Sequence, residues 1–258
     1  MTRLTMVLWT LGLVAGVGCA PAPASPPLRV LTAASLVGAM QAVGAEFQAE
    51  TGVAVQVVGG ASSSLARQLS AGAPGDVFVS ADTRWVTWLG ARGELAPCDT
   101  ADVATNRLVV VVSGEGEAAW RPGAAEPGAP PERLAVGDPE HVPVGRYARE
   151  SLESLGLWDA LAPRIVATAD APAAVSLVAR GAVPAAIAYA TDARGAPGVR
   201  VSAELPPTTH RPILYKAGVP AASTHPRARE FLAFLRGDAA QARLASFGFG
   251  PPPPTVRP

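Results

Sequence analysis

From Leu28 onward, short runs of β-branched and aliphatic residues alternate with stretches whose apolar residues recur at helical spacing. This alternation limits the possible folds more than any other feature of the chain. Leu28-Arg29-Val30-Leu31 reads as a strand, and Leu36, Met40, Val43 and Phe47 then fall on one face of a helix. Residues 53–58 form the next strand, and Leu65 and Leu69 open the next helix. Asp76-Val77-Phe78-Val79-Ser80 is a third strand, and Trp85, Trp88 and Leu89 mark a third helix. A β-α-β-α-β order predicts a mainly parallel sheet, because helical crossovers return the chain to the same edge and cover both faces. Residues 108–112 are a near-continuous β-branched run, the pattern of a strand buried on both sides.

Residues 114–131 are rich in Gly, Ala, Glu and Pro and read as a surface loop. A second α/β series follows. Leu134-Ala135-Val136 is a strand, residues 147–155 a helix, Arg164-Ile165-Val166 a strand, residues 173–180 a helix, and residues 185–190 a strand. Ile213-Leu214-Tyr215 is the candidate return strand, followed by helices over 227–235 and after Ala239. The tail 251–258, opening on four prolines, is expected to be unstructured. No solenoid-type repeat is present.

Composition excludes several function classes. Lys plus Arg and Asp plus Glu each number 21, so no net field draws the chain to nucleic acid or to an anionic membrane surface. A hydrophobic content of 49% rules out disorder for most of the 258 residues and suits one large domain or two ordinary ones. The three His and two Cys do not cluster, which gives no basis for a zinc or haem site. Lys216 is the only lysine, so Schiff-base and Ser–Lys chemistry have almost nothing to work with.

The N-terminus carries Arg3, an apolar run over 4–18 and then Cys19, the layout of a secretory signal that is too short for a membrane span. Gly16-Val17-Gly18-Cys19 resembles a lipobox, although Gly16 stands where Leu is usual. Residues 1–19 are therefore expected to be an export signal ending at a lipidated Cys19, and the Pro-rich residues 20–27 a tether. The expected location is periplasmic or extracytoplasmic. Cys98, then alone, is expected to be buried and structural.

Four places combine a strand, a short turn of small residues and a helix start. They are Ala33-Ala34-Ser35-Leu36, Gly60-Ala61-Ser62-Ser63-Ser64-Leu65, the stretch from His141 through Pro143, Val144 and Gly145 to Tyr147, and Asp170-Ala171-Pro172-Ala173. Asp170 is the candidate N-cap of the fourth. Each helix start exposes N–H groups that the helix leaves unpaired and carries about half a positive charge. Aimed at one point, the four would offer about two positive charges to a small dianion without one Lys or Arg. Taken singly, a Ser before a helix is an N-cap far more often than a ligand-binding group. Spacing supplies the turns and leaves their convergence open.

Ala33-Ala34-Ser35-Leu36, Ala61-Ser62-Ser63-Ser64-Leu65-Ala66-Arg67-Gln68 and the string Gly72-Ala73-Pro74-Gly75-Asp76-Val77-Phe78-Val79-Ser80-Ala81-Asp82 resemble the periplasmic molybdate-binding proteins of ABC importers. So do Ala135-Val136-Gly137-Asp138-Pro139-Glu140-His141-Val142-Pro143, followed by Gly145, Tyr147 and Ala148, and Tyr189-Ala190-Thr191-Asp192-Ala193. The match runs over 28–249. It implies a two-lobed α/β periplasmic-binding-protein fold, each lobe a mainly parallel sheet flanked by helices, with the ligand in the cleft between them. The lobes would comprise 28–106 with 212–250, and 107–211. By position, Ser35 and Ser62 would each supply a hydroxyl and a backbone N–H, Val144 and Ala171 a backbone N–H, and Tyr189 its phenolic hydroxyl. Ser63 is the alternative if the serines align one place later. Val144 stands where the family commonly has Ala and could crowd the ion, and Pro172 follows Ala171 at once.

The implied function is capture of molybdate, with tungstate, and delivery to an inner-membrane ABC permease and its ATPase. The protein would be a monomer, with no cofactor, no reaction and no nucleic-acid partner. A binding protein for a smaller tetrahedral oxyanion, sulfate or phosphate, would share the fold. A serine hydrolase using Ser35 or Ser62 would need a His base, for which His141 is the nearest candidate, and no Gly-x-Ser-x-Gly occurs. Asp76, Asp82 and Asp138 invite a metal or acid–base reading, yet roles in turns or interlobe hydrogen bonds fit better. Trp85 and Trp88 read as core or lobe surface rather than a sugar-stacking platform.

Overall fold

The computed structural model describes residues 26–115 and 120–254, and of Pro97 and Cys98 the backbone alone. The export signal, the lipobox at Cys19, most of the tether, the burial of Cys98 and the last four residues of the tail lie outside the described residues.

Three parallel strands start the first sheet: β1 (Leu28–Ala33) lies between β2 (Val55–Gly60) and β3 (Val77–Ser80). They are joined by α1 (Val37–Thr51) and α2 (Ser62–Ser70). The expected apolar stripe of α1, Leu36, Met40, Val43 and Phe47, is buried. Phe47 meets Phe231 and Phe234 of α8 (Ala228–Phe234) edge-on at 5.1 and 5.3 Å. After α3 (Thr83–Ala91) come β4 (Leu95–Thr105) and, directly, β5 (Leu108–Ser113).

The second sheet repeats the plan. β6 (Leu134–Gly137) pairs in parallel with β7 (Ile165–Thr168) and β8 (Ala185–Tyr189), with α4 (Pro143–Ser154), α5 (Trp158–Leu161) and α6 (Ala171–Ala179) on the connections. Then follow α7 (Ala190–Ala193), β9 (Val199–Glu204), β10 (Leu214–Pro220) and, after α8, α9 (Asp238–Ser246). Strand orders are β2-β1-β3-β10-β4 and β7-β6-β8-β5-β9. In each sheet one strand runs against the rest, β10 in the first and β5 in the second. The chain thus passes between the sheets twice, from β4 to β5 and from β9 back to β10.

Edge strands β4 and β9 were not anticipated from sequence. An edge strand has one partner and a wetter face, so its residues mix, as in Asp99-Thr100-Ala101-Asp102 and Arg200-Val201-Ser202. Helix α4 begins at Pro143, four places before the expected start, with Pro at its first position where no N–H is needed. Helix α6 likewise begins at Ala171, with Pro172 in its first turn.

Candidate anion site

The C-terminal ends of β1, β2, β3 and β8 and the N-terminal ends of α2, α4 and α6 surround a small cavity. Ligands of α/β sheets gather at this end, where strands hand over to helix N-termini. Lining it are Ala33, Ala34 and Ser35, then Gly60, Ala61, Ser62 and Ala81 from the first lobe. Val142, Pro143, Val144, Asp170, Ala171 and Tyr189 come from the second. All five residues expected to hold the ligand are therefore brought together, and no lysine, arginine or histidine is among the lining residues.

Ser62, Val144 and Ala171 occupy first-turn positions of α2, α4 and α6, where the backbone N–H has no intrahelical acceptor. Ser35 sits in the single 3-10 turn, Ala34–Leu36, that leads into α1. Asp170 Oδ1 accepts from Ala173 N–H at 2.8 Å, so the one carboxylate on the wall is engaged as the N-cap of α6. Ala81 N–H donates to Ser62 Oγ at 3.0 Å, which occupies that oxygen as an acceptor and leaves its proton for a ligand. The alternative serine falls elsewhere: Ser63 lines a neighbouring cavity with Ser64, Arg67, Asp138 and His141.

Tyr189 is buried, and its hydroxyl has no hydrogen-bond partner among the described residues. Burial holds its phenol well above the ordinary value of 10, so it stays a neutral donor. A buried unpaired hydroxyl costs about 1–3 kcal/mol. Tyr189→Phe is accordingly expected to leave the ligand-free protein as stable or stabler in thermal unfolding. The same change should weaken anion binding by about 1.5–3 kcal/mol in calorimetry.

Asp192 lies three residues on, in α7. Burial pushes its carboxyl from 3.8 up to about 8, Tyr189 N–H (3.3 Å to Oδ2) offsets part of this, and Asp170 adds to the rise. The folded value exceeds the unfolded one, so the contribution to stability is complete below about pH 4 and is lost as pH rises to about 8. Ionisation also sets a negative charge beneath the Tyr189 turn. Anion affinity should fall between about pH 7 and 9, and Asp192→Asn should flatten that fall in titrations across the range.

Two glycines let α4 reach the site. A Cβ on Gly145 would lie 1.9 Å from Gly137 O, and one on Gly137 would lie 2.6 Å from Val144 Cγ1. Backbone meets backbone here, so α4 can seat its N-terminus on the end of β6. Gly145→Ala must lift that helix end, with an expected loss of about 1–3 kcal/mol in stability and a displaced Val144 N–H. Thermal unfolding and calorimetry would read the two effects. The Val144 side chain is buried and packs over Gly137.

Across the cleft, Arg146 of α4 donates to Asp82 Oδ2 at 3.0 Å, both side chains being buried. Asp82 also caps α3 by accepting Arg84 N–H at 2.9 Å. Asp76 accepts from Arg29 N–H and Ser223 Oγ, each at 2.8 Å. Asp138 accepts from Glu140 N–H and contacts His141 Nδ1. The three aspartates thus serve turns, strand ends and one interlobe pair. Neither candidate serine touches His141: Ser35 Oγ bonds the hydroxyl of Tyr215, and His141 stands in the neighbouring cavity. Trp85 and Trp88 pack edge-on at 5.7 Å on the lobe surface, under Arg67 and Arg92. Arg146, Tyr215 and Asn106 were missed in the sequence, since nothing local marks a residue whose partner lies in another segment.

Two α/β lobes meeting over a cavity at their strand ends define a bilobal binding protein. The chain belongs to the bacterial extracellular solute-binding proteins, whose family model matches residues 28–250. It is 36% identical over 231 residues to the molybdate-binding protein ModA of Escherichia coli, covering 86% of this chain and 88% of that one. Among solved structures, the periplasmic molybdate-binding protein of Azotobacter vinelandii aligns with a TM-score of 0.79 at 26% identity, over 87% of this chain and 99% of that one. The sulfate-binding protein SubI of Mycobacterium tuberculosis aligns with a TM-score of 0.70 at 19% identity, over 89% and 88% of the two chains, a likeness of fold alone. The family is one of solute-binding transport proteins and not of enzymes.

Proposed function

We propose that this protein captures molybdate, and with it tungstate, and delivers it to an ABC import permease with its ATPase. The ion would be held by the hydroxyls and N–H groups of Ser35 and Ser62, the N–H groups of Val144 and Ala171, and the Tyr189 hydroxyl. The observation that carries this reading is the buried, unpartnered Tyr189 hydroxyl at a cavity ringed by helix N-termini. Each hydrogen bond to a charged partner contributes about 1.5–3 kcal/mol, so a handful outweighs the desolvation of a small ion.

Size and proton content set the choice of anion. Molybdate and tungstate have longer bonds to oxygen than sulfate or phosphate, so a cage matched to them stretches every hydrogen bond to the smaller ions. Donors alone also disfavour a protonated phosphate, whose O–H finds no acceptor. Val144 stands where the family commonly has Ala; one of its methyls lies toward Gly137 while the residue also lines the cavity, and crowding there is what a preference for sulfate or phosphate would report.

The lobes are taken as 28–106 with 212–250, and 107–211, hinged at the two crossings, in a monomer. Export through residues 1–19 and lipid anchoring at Cys19 complete the proposal; among the described residues no helix is long and apolar enough to cross a membrane. Calorimetric titration of the anion-stripped protein with molybdate, tungstate, sulfate and phosphate tests the reading. Tight binding of the first two alone is expected; preference for sulfate or phosphate, or silence from all four, overturns it.

A further inference from the structure

The hydroxyl proton behind Ser35 has one place to go. Tyr215 of β10 is fully buried, and its phenolic oxygen lies 2.9 Å from Ser35 Oγ and 3.2 Å from Asn106 Nδ2. The Asn106 amide is oriented by its neighbour: Arg107 N–H donates to Asn106 Oδ1 at 2.8 Å, which leaves the NH2 group facing Tyr215 and Thr191 Oγ1, the latter at 2.9 Å. An NH2 group only donates. Tyr215 oxygen therefore accepts from Asn106, and the buried Tyr215 proton has Ser35 Oγ as its acceptor. With that oxygen so engaged, the Ser35 proton is the one left for the cavity that Ser35 lines.

We propose that Asn106 and Tyr215 are positioning residues that set the direction of this hydroxyl chain, so that Ser35 presents a proton and not a lone pair to the bound oxyanion. The inference rests on the reading above that Ser35 is a ligand. It adds a specificity element outside the cage: the chain Asn106 to Tyr215 to Ser35 runs donor to acceptor throughout, and a protonated anion meets no acceptor at its end. Asn106 stands at the crossing between β4 and β5, and its second bond goes to Thr191, two residues beyond Tyr189. One amide thus braces the turns behind hydroxyl donors of both lobes.

The test is a double-mutant cycle read by calorimetric titration with molybdate, with thermal unfolding of each ligand-free variant alongside. Ser35→Ala and Tyr215→Phe are each expected to weaken binding about tenfold, through loss or misdirection of one charged hydrogen bond. In the Ser35→Ala background, Tyr215→Phe should change affinity less than about twofold, because its effect passes through Ser35. Asn106→Ala replaces Tyr215→Phe in the same cycle should the latter fail to fold; because its amide also holds Thr191, part of its loss persists in the Ser35→Ala background, and a smaller loss there than in the native background is expected. Equal losses in both backgrounds, or no loss from either positioning variant alone, overturn the relay. An unchanged affinity in Ser35→Ala instead overturns the placement of Ser35 as ligand.

Discussion

The double variant Ser35→Ala, Ser62→Ala is expected to lose about 3–6 kcal/mol of molybdate binding, roughly 10²- to 10⁴-fold in affinity, through two charge-assisted hydrogen bonds. The two hydroxyls approach the cavity from separate turns of one lobe, after β1 and after β2, and share no protein partner. Their losses should therefore nearly add. The cost to the fold is of similar size. Ala81 N–H loses its acceptor on Ser62 and the Tyr215 hydroxyl its acceptor on Ser35, at about 1–3 kcal/mol for each orphaned group, less wherever water reaches it. Calorimetry of the folded double variant, with its unfolding temperature as control, checks both. Binding at full strength would remove Ser35 and Ser62 from the cage.

Arg146→Met should open the cleft. Removing one member of a buried ion pair strands the other charge, at a cost of about 3–5 kcal/mol. Here the low end applies, because Asp82 keeps its capping bond from Arg84 N–H and a second contact with Arg84 Nε at 3.3 Å. Since Asp82 and Arg146 belong to different lobes, separating the lobes and hydrating Asp82 is the direct relief. A larger radius of gyration in small-angle scattering and weaker molybdate binding are expected. Asp82→Asn in the same chain should recover part of both, by removing the stranded charge. Unchanged scattering and affinity in Arg146→Met would show that the pair does not hold the lobes together.

The strands most legible in the sequence are those with protein on both faces. Residues 77–79, 108–112 and 134–136 are continuous apolar runs because solvent reaches neither side, and they mark the centres of both sheets. Edge strands β2 and β7 were legible through the strand–helix alternation they belong to, whereas the edges β4 and β9, whose residues mix and which lie beyond that series, were not. The start of α4 was placed at 147, four residues late; Pro143 at a first helical position needs no N–H partner and favours the earlier start.

The site divides along the same line. Each small-residue turn is a local event: a strand ends, a helix begins, and first-turn N–H groups are left over whatever surrounds them. Those turns were therefore written in the sequence alone, and the candidate set Ser35, Ser62, Val144, Ala171 and Tyr189 came from the resemblance of its motifs to a known family. Tertiary structure alone decided that the turns converge on one cavity, that Ser62 and not Ser63 faces it, and that Asp82 is paired across the cleft with Arg146. It also brought the Ser35 hydroxyl to 2.9 Å from that of Tyr215, 180 residues away. Helix starts and strand runs follow from the interactions of near neighbours, whereas convergence and the Ser35–Tyr215 contact depend on groups far apart in the chain that meet only in the tertiary fold.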